Sequence, residues 1–384
     1  MRVLHFYKTY YPDSWGGIEQ VIRQLCVGTG RLGVSNEVLT LTPDKAGPKE
    51  IEFEGHTVHR VSMDFEIAST GFSFAAIRKL ARLARKADVI HYHFPWPFMD
   101  LAHFMARINK PSVVTYHSDI VRQKQLLRVY GPLKRRFLHS VDAVVATSPN
   151  YLASSAVLKR FAHKTRTIPF GLDKSTYPVA TEQRKDKWRA QCGERFFLFV
   201  GVLRYYKGLH ILLDAMVNVD YPVVIVGAGP IEQELKAHAL RLGLTHVQFI
   251  GAVDEDDKAA LLELSYAMVF PSHLRSEAFG ISLLEGAMFG KPMISSEIGT
   301  GTTYINIDND TGLVVAPDDP AALGAAMRTL WDDPERAAAM GRRAEARYWE
   351  LFTAEKMAHS YDALYRELVA RHATRRAGVR HRVV

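Results

Sequence analysis

Two carboxylates eight positions apart, Glu277 and Glu285, frame the stretch Glu277-Ala278-Phe279-Gly280-Ile281-Ser282-Leu283-Leu284-Glu285. Upstream, Tyr266-Ala267-Met268-Val269-Phe270 reads as a buried strand, and downstream Gly290-Lys291-Pro292 stops a helix. The order is strand, loop, helix start, which in an open α/β sheet is where ligands bind. A helix start offers unpaired backbone N–H groups to an anion. Those donors are expected from Phe279, Gly280, Ile281 and Ser282, with Gly280 leaving room for close approach. Glu277 is placed to hold hydroxyls on one side of the anion and Glu285, about a turn deeper at ~1.5 Å rise per residue, hydroxyls on the other. A diphosphate between a sugar and a ribose has that polarity. The plain alternative is a helix with one Glu complementing its dipole and another on a solvated face.

Further residues join this stretch by type. Arg204 and Lys207, in Val202-Leu203-Arg204-Tyr205-Tyr206-Lys207-Gly208, can converge on one anion, Arg as a fork and Lys as a point charge. Gly16-Gly17 lies at the first strand-to-helix turn, where a backbone can approach a phosphate or simply turn tightly. His117 follows a strand and precedes Ser118-Asp119, so it is expected to face a cleft. His91 and His93 alternate on a strand end without a third ligand of clear spacing, and no metal site is expected. Gly28-Thr29-Gly30-Arg31-Leu32-Gly33 has dinucleotide spacing but ends a helix instead of opening one. Gly227-Ala228-Gly229 follows a strand, but Glu232 stands where a third glycine belongs. In Asp254-Glu255-Asp256-Asp257 the first Asp is expected to cap a helix with an acidic first turn.

The elements that must position these residues alternate. Strands at Val3–Tyr7, Glu37–Leu41, Asp88–His93, Ser112–Tyr116 and Asp142–Thr147 have helices between them, and 50–61 reads as a hairpin around Glu54-Gly55. A second alternating series begins at Arg195-Phe196-Phe197, after a polar linker at 174–194. Such alternation implies parallel sheets with helices on both faces: an α/β chain of two doubly wound domains facing across a cleft. From Pro320 to about Arg371 the chain is nearly all helical. The length of 384 residues, 47% hydrophobic and 23% charged, suits about two globular domains.

The amino-terminal stretch lacks the long apolar run of a signal peptide, and no run of about 18 apolar residues suggests a membrane span. Two distant cysteines, Cys26 and Cys192, fit a reducing cytoplasm. The net charge of +8 favours phosphate-rich ligands, nucleic acid or an anionic membrane. No helix-turn-helix, zinc or stacking pattern supports nucleic acid. Two basic features, Arg122–Leu138 and the tail Arg371–Arg382, suit an anionic membrane or a lipid diphosphate, or else are a solvated face and a loose tail.

Together these motifs resemble the family 4 retaining glycosyltransferases of the GT-B fold, over nearly the whole chain. The most specific parts are Glu277–Glu285, matching an E-x7-E pattern with Phe279-Gly280 inside it, and Arg204 with Lys207-Gly208. Pro169-Phe170-Gly171-Leu172-Asp173 resembles the segment after the first domain, with Phe170 in place of the commoner Asn. The opening, His5–Tyr10 with Gly17-Ile18-Glu19-Gln20, is similar to bacterial mannosyl- or rhamnosyltransferases of O-polysaccharide assembly.

The resemblance implies two Rossmann-like domains: an acceptor-side domain at 1–173 and a nucleotide-sugar domain at 174–351. A helix at 352–371 returns to the first domain, and 372–384 is a basic tail. It implies that Glu277 binds donor-sugar hydroxyls and that Phe279, Gly280, Ile281 and Ser282 give backbone donors. Glu285 would bind the ribose, Arg204 and Lys207 the leaving diphosphate, and His117 the sugar, while Gly16 and Gly17 close over the diphosphate. It implies a retaining hexosyltransferase, needing no metal and no cofactor. The donor would be a nucleotide sugar, GDP-linked mannose or rhamnose by the narrower likeness. The acceptor would be lipid-linked or a glycan, met at the cytoplasmic face of the plasma membrane. The rivals are a nucleotide-sugar epimerase or hydrolase on a similar fold and a non-catalytic nucleotide-sugar-binding protein.

Overall fold

The computed structural model describes residues 1–67, 70–120 and 124–380, with side chains described except at 124–128 and 376–380. The chain divides into two compact units. One is Met1–Gly171 with the C-terminal segment from Ala354; the other is Leu172–Thr353.

The first unit is built on an eight-stranded sheet. Its strands are β1 (Arg2–Phe6), β2 (Ser35–Thr42), β3 (Glu50–Phe53), β4 (His56–Ser62), β7 (Val89–Phe94), β8 (Ser112–Tyr116), β9 (Ala143–Ala146) and β10 (Thr165–Thr167), with a separate hairpin of β5 (Phe65–Ile67) and β6 (Thr70–Phe72). The order is β10-β9-β8-β7-β1-β2-β4-β3, parallel except for β3. The β3–β4 hairpin turns at Glu54 and Gly55, both at positive φ (46° and 81°), as a tight two-residue hairpin turn requires. Strands β7, β8 and β9 are buried along their whole length, the mark of a parallel sheet covered on both faces. The final helix, Ala354–Arg380, supplies part of that cover. Ala358 packs so closely on Gly28 of the helix Gly17–Arg31 that a β-carbon at Gly28 would lie 2.7 Å from the Ala358 Cβ. Gly28 thus serves helix–helix approach, the role that excludes it from a phosphate turn.

The second unit has six parallel strands: β11 (Phe197–Val200), β12 (Val223–Val226), β13 (Val247–Gly251), β14 (Ala267–Phe270), β15 (Met293–Ser296) and β16 (Gly312–Val315). Their order is β13-β12-β11-β14-β15-β16. Leu198, Val224, Met268 and Ile294 are each fully buried. The strand order reverses direction between β11 and β14 in this unit and between β1 and β7 in the first. The crevices beyond those strand ends are the ligand positions of a doubly wound sheet.

One expectation changes here. The segment from 372, expected as a loose tail, continues the last helix to Arg380, and the rest of the tail lies outside the described residues. In the basic stretch from Arg122, residues 122–123 lie outside the described residues, and Lys124–Ser140 is a helix.

Candidate active site

In the second unit the site is assembled at the β11/β14 switch point. After β11 the chain makes a 3-10 turn, Tyr205–Lys207, and Gly208 leaves it at φ 69°. A β-carbon on Gly208 would sit 2.0 Å from the Pro271 carbonyl oxygen, so only glycine lets this turn lie against the loop that follows β14. His273 in that loop ties the two together. Its backbone N–H donates to the Tyr206 carbonyl at 3.1 Å, and its Nε2 donates to the Tyr205 carbonyl at 3.1 Å. Arg275 holds the loop's other side through the carbonyls of Ile298 and Gly299, at 3.2 and 3.0 Å.

This clamp brings the buried Lys207 and the part-buried Glu277, seventy positions apart, into a 2.5 Å ion pair. Burial by itself would lower the Lys207 ammonium; the Glu277 carboxylate outweighs it and holds the amine above its ordinary range. Lys207 also lies 4.8 Å from the Phe270 ring centroid. Arg204 is exposed and has no ion-pair partner among the described residues, so its guanidinium is free to meet an anion.

The helix after Glu277 runs Ile281–Met288, with Gly280 as N-cap at φ 99° and no side-chain cap. Its first turn is therefore Ile281–Leu283, two residues later than the start expected at Phe279. Gly280 stands at the cap, and Phe279 is a buried ring near Phe352. Ile281 and Ser282 remain in the donor-bearing turn. Glu285, one turn further on, is 3% exposed. Its Oε1 accepts from the Tyr177 hydroxyl at 2.8 Å and from Lys258 at 3.1 Å. Lys258 also reaches Glu255 at 2.7 Å. Neither Tyr177 nor Lys258 was legible as a site residue. Lys258 hides behind the acidic run at 254–257, where Asp254 caps the helix Glu255–Leu264 by accepting from the Asp257 N–H at 2.7 Å.

Gly227 and Gly229 serve packing. A β-carbon at either would lie 2.0–2.4 Å from the carbonyls of Gly201 or Leu203. Their bareness lets the loops after β11 and β12 touch.

In the first unit, period-2 alternation and parallel register gather five polar side chains on one sheet face. His5 lies opposite His91. His93 lies opposite Thr115, and His117 follows two residues later. The rings form a directed chain. Asn36 donates from Nδ2 to the Cys26 carbonyl and the Thr29 hydroxyl, both at 2.9 Å, so its Oδ1 faces His5 Nε2 at 3.4 Å. His5 Nε2 therefore carries a proton and its Nδ1 accepts from His93 Nε2 at 3.2 Å. His93 Nδ1 in turn accepts from His117 Nε2 at 3.0 Å. His117 Nδ1 ends the chain as a buried lone pair without a hydrogen-bond partner among the described residues.

Burial keeps these rings neutral, lowering His5 and His117 each to about 3 and His91 and His93 well below the ordinary value. His5 is the third imidazole that spacing did not reveal beside His91 and His93. Both nitrogens of His91 are occupied, by Tyr365 and Thr115 hydroxyls at 2.7 Å. The three bring nitrogens within 4.8 Å of one another.

Gly16 is the N-cap of the helix Gly17–Arg31. Its bare α-carbon is filled from one side by Glu19, whose Oε2 would lie 2.6 Å from a β-carbon there, while Ser14 donates to Glu19 Oε1 at 2.8 Å. The helix's own carboxylate therefore already stands at the end expected to approach a phosphate.

Residues 15–176 match the family described as Glycosyltransferase Family 4, and residues 180–347 match Glycosyl transferases group 1. The chain is 64% identical to D-rhamnosyltransferase WbpZ of Pseudomonas aeruginosa, over 92% of this chain and 93% of that protein. It is 52% identical to O-antigen chain mannosyltransferase C of Escherichia coli, over 96% and 99%. Among solved structures, sucrose-phosphate synthase from Thermosynechococcus elongatus shares the fold at a TM-score of 0.81 and 23% identity, covering 96% of this chain and 99% of that one. With switch-point residues on two doubly wound units and relatives this similar along the whole length, the chain belongs to the family 4 glycosyltransferases of the GT-B fold.

Proposed function

We propose that this glycosyltransferase is a retaining, metal-independent hexosyltransferase. It moves mannose or rhamnose from a GDP-linked donor to a lipid-linked or glycan acceptor in O-polysaccharide assembly, at the inner membrane surface. The observation that carries this reading is the identity of 64% and 52%, over more than nine-tenths of the chain, to a D-rhamnosyltransferase and an O-antigen mannosyltransferase. These two relatives do not favour the epimerase, hydrolase or binding-protein readings. Guanine follows from that narrower likeness.

The site chemistry is consistent with this reading. Diphosphate departure develops negative charge, and fixed cations with helix N–H groups stabilise charge where it forms. Arg204 and Lys207 are those cations, and the Ile281–Leu283 turn supplies the N–H groups. Glu277, held by Lys207, faces donor-sugar hydroxyls, and Glu285, oriented by Tyr177 and Lys258, takes ribose hydroxyls. His117 accepts from a sugar hydroxyl through Nδ1, and Gly16-Gly17 approaches the diphosphate. Attack is on the front face, the departing phosphate helping to take the acceptor proton. A trapped glycosyl–enzyme adduct would refute that step.

The test is a thermal-shift screen with GDP, UDP, ADP and their sugar conjugates, with and without EDTA, followed by product analysis. A ligand at a hundredfold excess over Kd stabilises by about 2.7 kcal/mol. The expected result is a shift with GDP and GDP-mannose that survives EDTA, and a product of unchanged anomeric configuration. A shift with UDP ligands alone overturns the donor, loss with EDTA overturns metal independence, and inversion overturns retention. Consumption of donor without acceptor favours the hydrolase.

A further inference from the structure

The first unit holds a second concavity, of about 470 Å³, apart from the residues described above. Its walls are cationic: Lys49, Arg60, Arg78, Lys79, Arg82 and Arg85, with Asp64 the one carboxylate among them. Two of the cations are already matched. Arg60 grips Asp13 at 2.6 and 3.0 Å, and Lys79 meets Glu50 at 2.5 Å. Lys49, Arg78, Arg82 and Arg85 are exposed and have no ion-pair partner among the described residues. Three of these come from one helix, Phe74–Lys86, which contains no acidic residue. Arg78, Arg82 and Arg85 recur at i, i+4 and i+7, so they stand on one face. The packing of the helix uses the other face, through Ala76, Ile77, Leu80, Leu83 and Ala84. Like charges at these spacings repel, and core packing does not ask for them. A bound polyanion would relieve that repulsion.

Position and surroundings narrow the ligand. Val61, Ser62 and Asp64 put one end of the concavity at the carboxyl end of β4, and the helix carries Arg82 and Arg85 back from it. The carboxyl end of β4 is at the same edge of the parallel sheet as Gly16 beyond β1 and His117 beyond β8. Next in the chain to its lining residues Asp64 and Ala75 are the exposed Phe65 and Phe74, with the exposed Ile67 two residues further along β5. Phe74 is tied to the pocket by its backbone N–H, which donates to Asp64 Oδ2 at 2.8 Å. Cations within and hydrocarbon at the rim fit an amphiphilic phosphate ester.

We propose that this concavity is an acceptor subsite that binds the diphosphate of a lipid-linked acceptor, with the first part of the lipid chain lying on Phe65, Ile67 and Phe74. The proposal rests on the lipid-linked acceptor of the preceding reading. It is tested without the donor reaction. With the nucleotide site saturated by GDP, the full-length protein is titrated calorimetrically with inorganic pyrophosphate and with farnesyl diphosphate. The expected result is one further equivalent of each, with farnesyl diphosphate the tighter.

The variant R78A/R82A/R85A should weaken both by tenfold or more and leave GDP binding unchanged. F74S should remove the advantage of the farnesyl ligand while sparing pyrophosphate. R82E alone reads the same loss if the triple variant does not fold. Equal binding by wild type and the arginine variants overturns the proposal. So does binding confined to phosphatidylglycerol vesicles with neither soluble ligand bound, which would make the patch a membrane-surface contact. Failure of GDP to bind would instead count against the donor reading, and pyrophosphate titration of wild type against the arginine variants would still decide this one.

Discussion

Lys207 and Glu277 must be treated as one unit. Each is nearly enclosed, and removing one partner of such a pair leaves a buried charge, at a cost of about 3–5 kcal/mol. Glu277→Ala is therefore expected to lower turnover and stability together, and a urea titration alongside kinetics separates the two effects. The double variant Lys207→Met/Glu277→Leu should recover most of the lost stability while staying inactive. If it stayed as unstable as the single variant, the coupling inferred from the 2.5 Å contact would be wrong. Glu285→Ala should weaken donor binding, because Tyr177 and Lys258 hold that carboxylate in place. At the other unit's site, the Asn36–His5–His93–His117 chain predicts a proton on Nε2 and none on Nδ1 of His117. Side-chain ¹⁵N spectra of the histidines read this directly, and a protonated Nδ1 would break the chain as drawn.

Among the elements, the loop–turn contact at the β11/β14 switch point depends on one glycine. Gly208→Ala combines a left-handed φ with a β-carbon 2.0 Å from a backbone oxygen, so the two loops must separate. Gly243 has nearly the same φ, 68°, with nothing within 4 Å of a β-carbon. Alanine there should cost only the conformational penalty, about 1–2 kcal/mol. The expected order in urea unfolding is Gly208→Ala well below Gly243→Ala, and equal losses would dismiss the contact. The last helix lends its hydroxyls to the first sheet: Tyr361 meets Thr115 at 2.7 Å and Tyr365 meets His91. Tyr361→Phe should cost about 1 kcal/mol, the net worth of one buried hydrogen bond.

Over the whole molecule, the neutral buried imidazoles set a pH dependence of stability. His5 and His117 are held near about 3 when folded and return to about 6.5 when unfolded. The unfolded chain therefore binds more protons below pH 6.5. Their contribution is fully present above pH 6.5 and is lost as pH falls toward 3, by up to about 1.4 kcal/mol per pH unit for each ring. His91 and His93, shifted the same way by burial, add to it. Urea midpoints should fall clearly between pH 7 and pH 5, and a flat profile across that window would mean that these rings are protonated in the folded state. At the same scale, no helix among the described residues is long and apolar enough to cross a membrane.

The sequence alone determined the α/β alternation, because strand and helix periods are written locally in the apolar pattern. It also marked candidates by type and spacing: Glu277, Glu285, Arg204 and Lys207. It could not show who meets whom. Tyr177 and Lys258 reach Glu285 across 108 and 27 positions, and Asn36, His5 and His93 line up behind His117 only because β1, β2, β7 and β8 lie side by side in register. The start of the helix at Ile281 instead of Phe279 was decided by Gly280 taking a positive φ, which no propensity places to the residue. Glu19 at the Gly16 turn, and four unmatched cations around one concavity, are likewise products of packing. Local pattern fixes each segment's period, whereas hydrogen-bond partners, burial and unbalanced charge are properties of what the segments bring together.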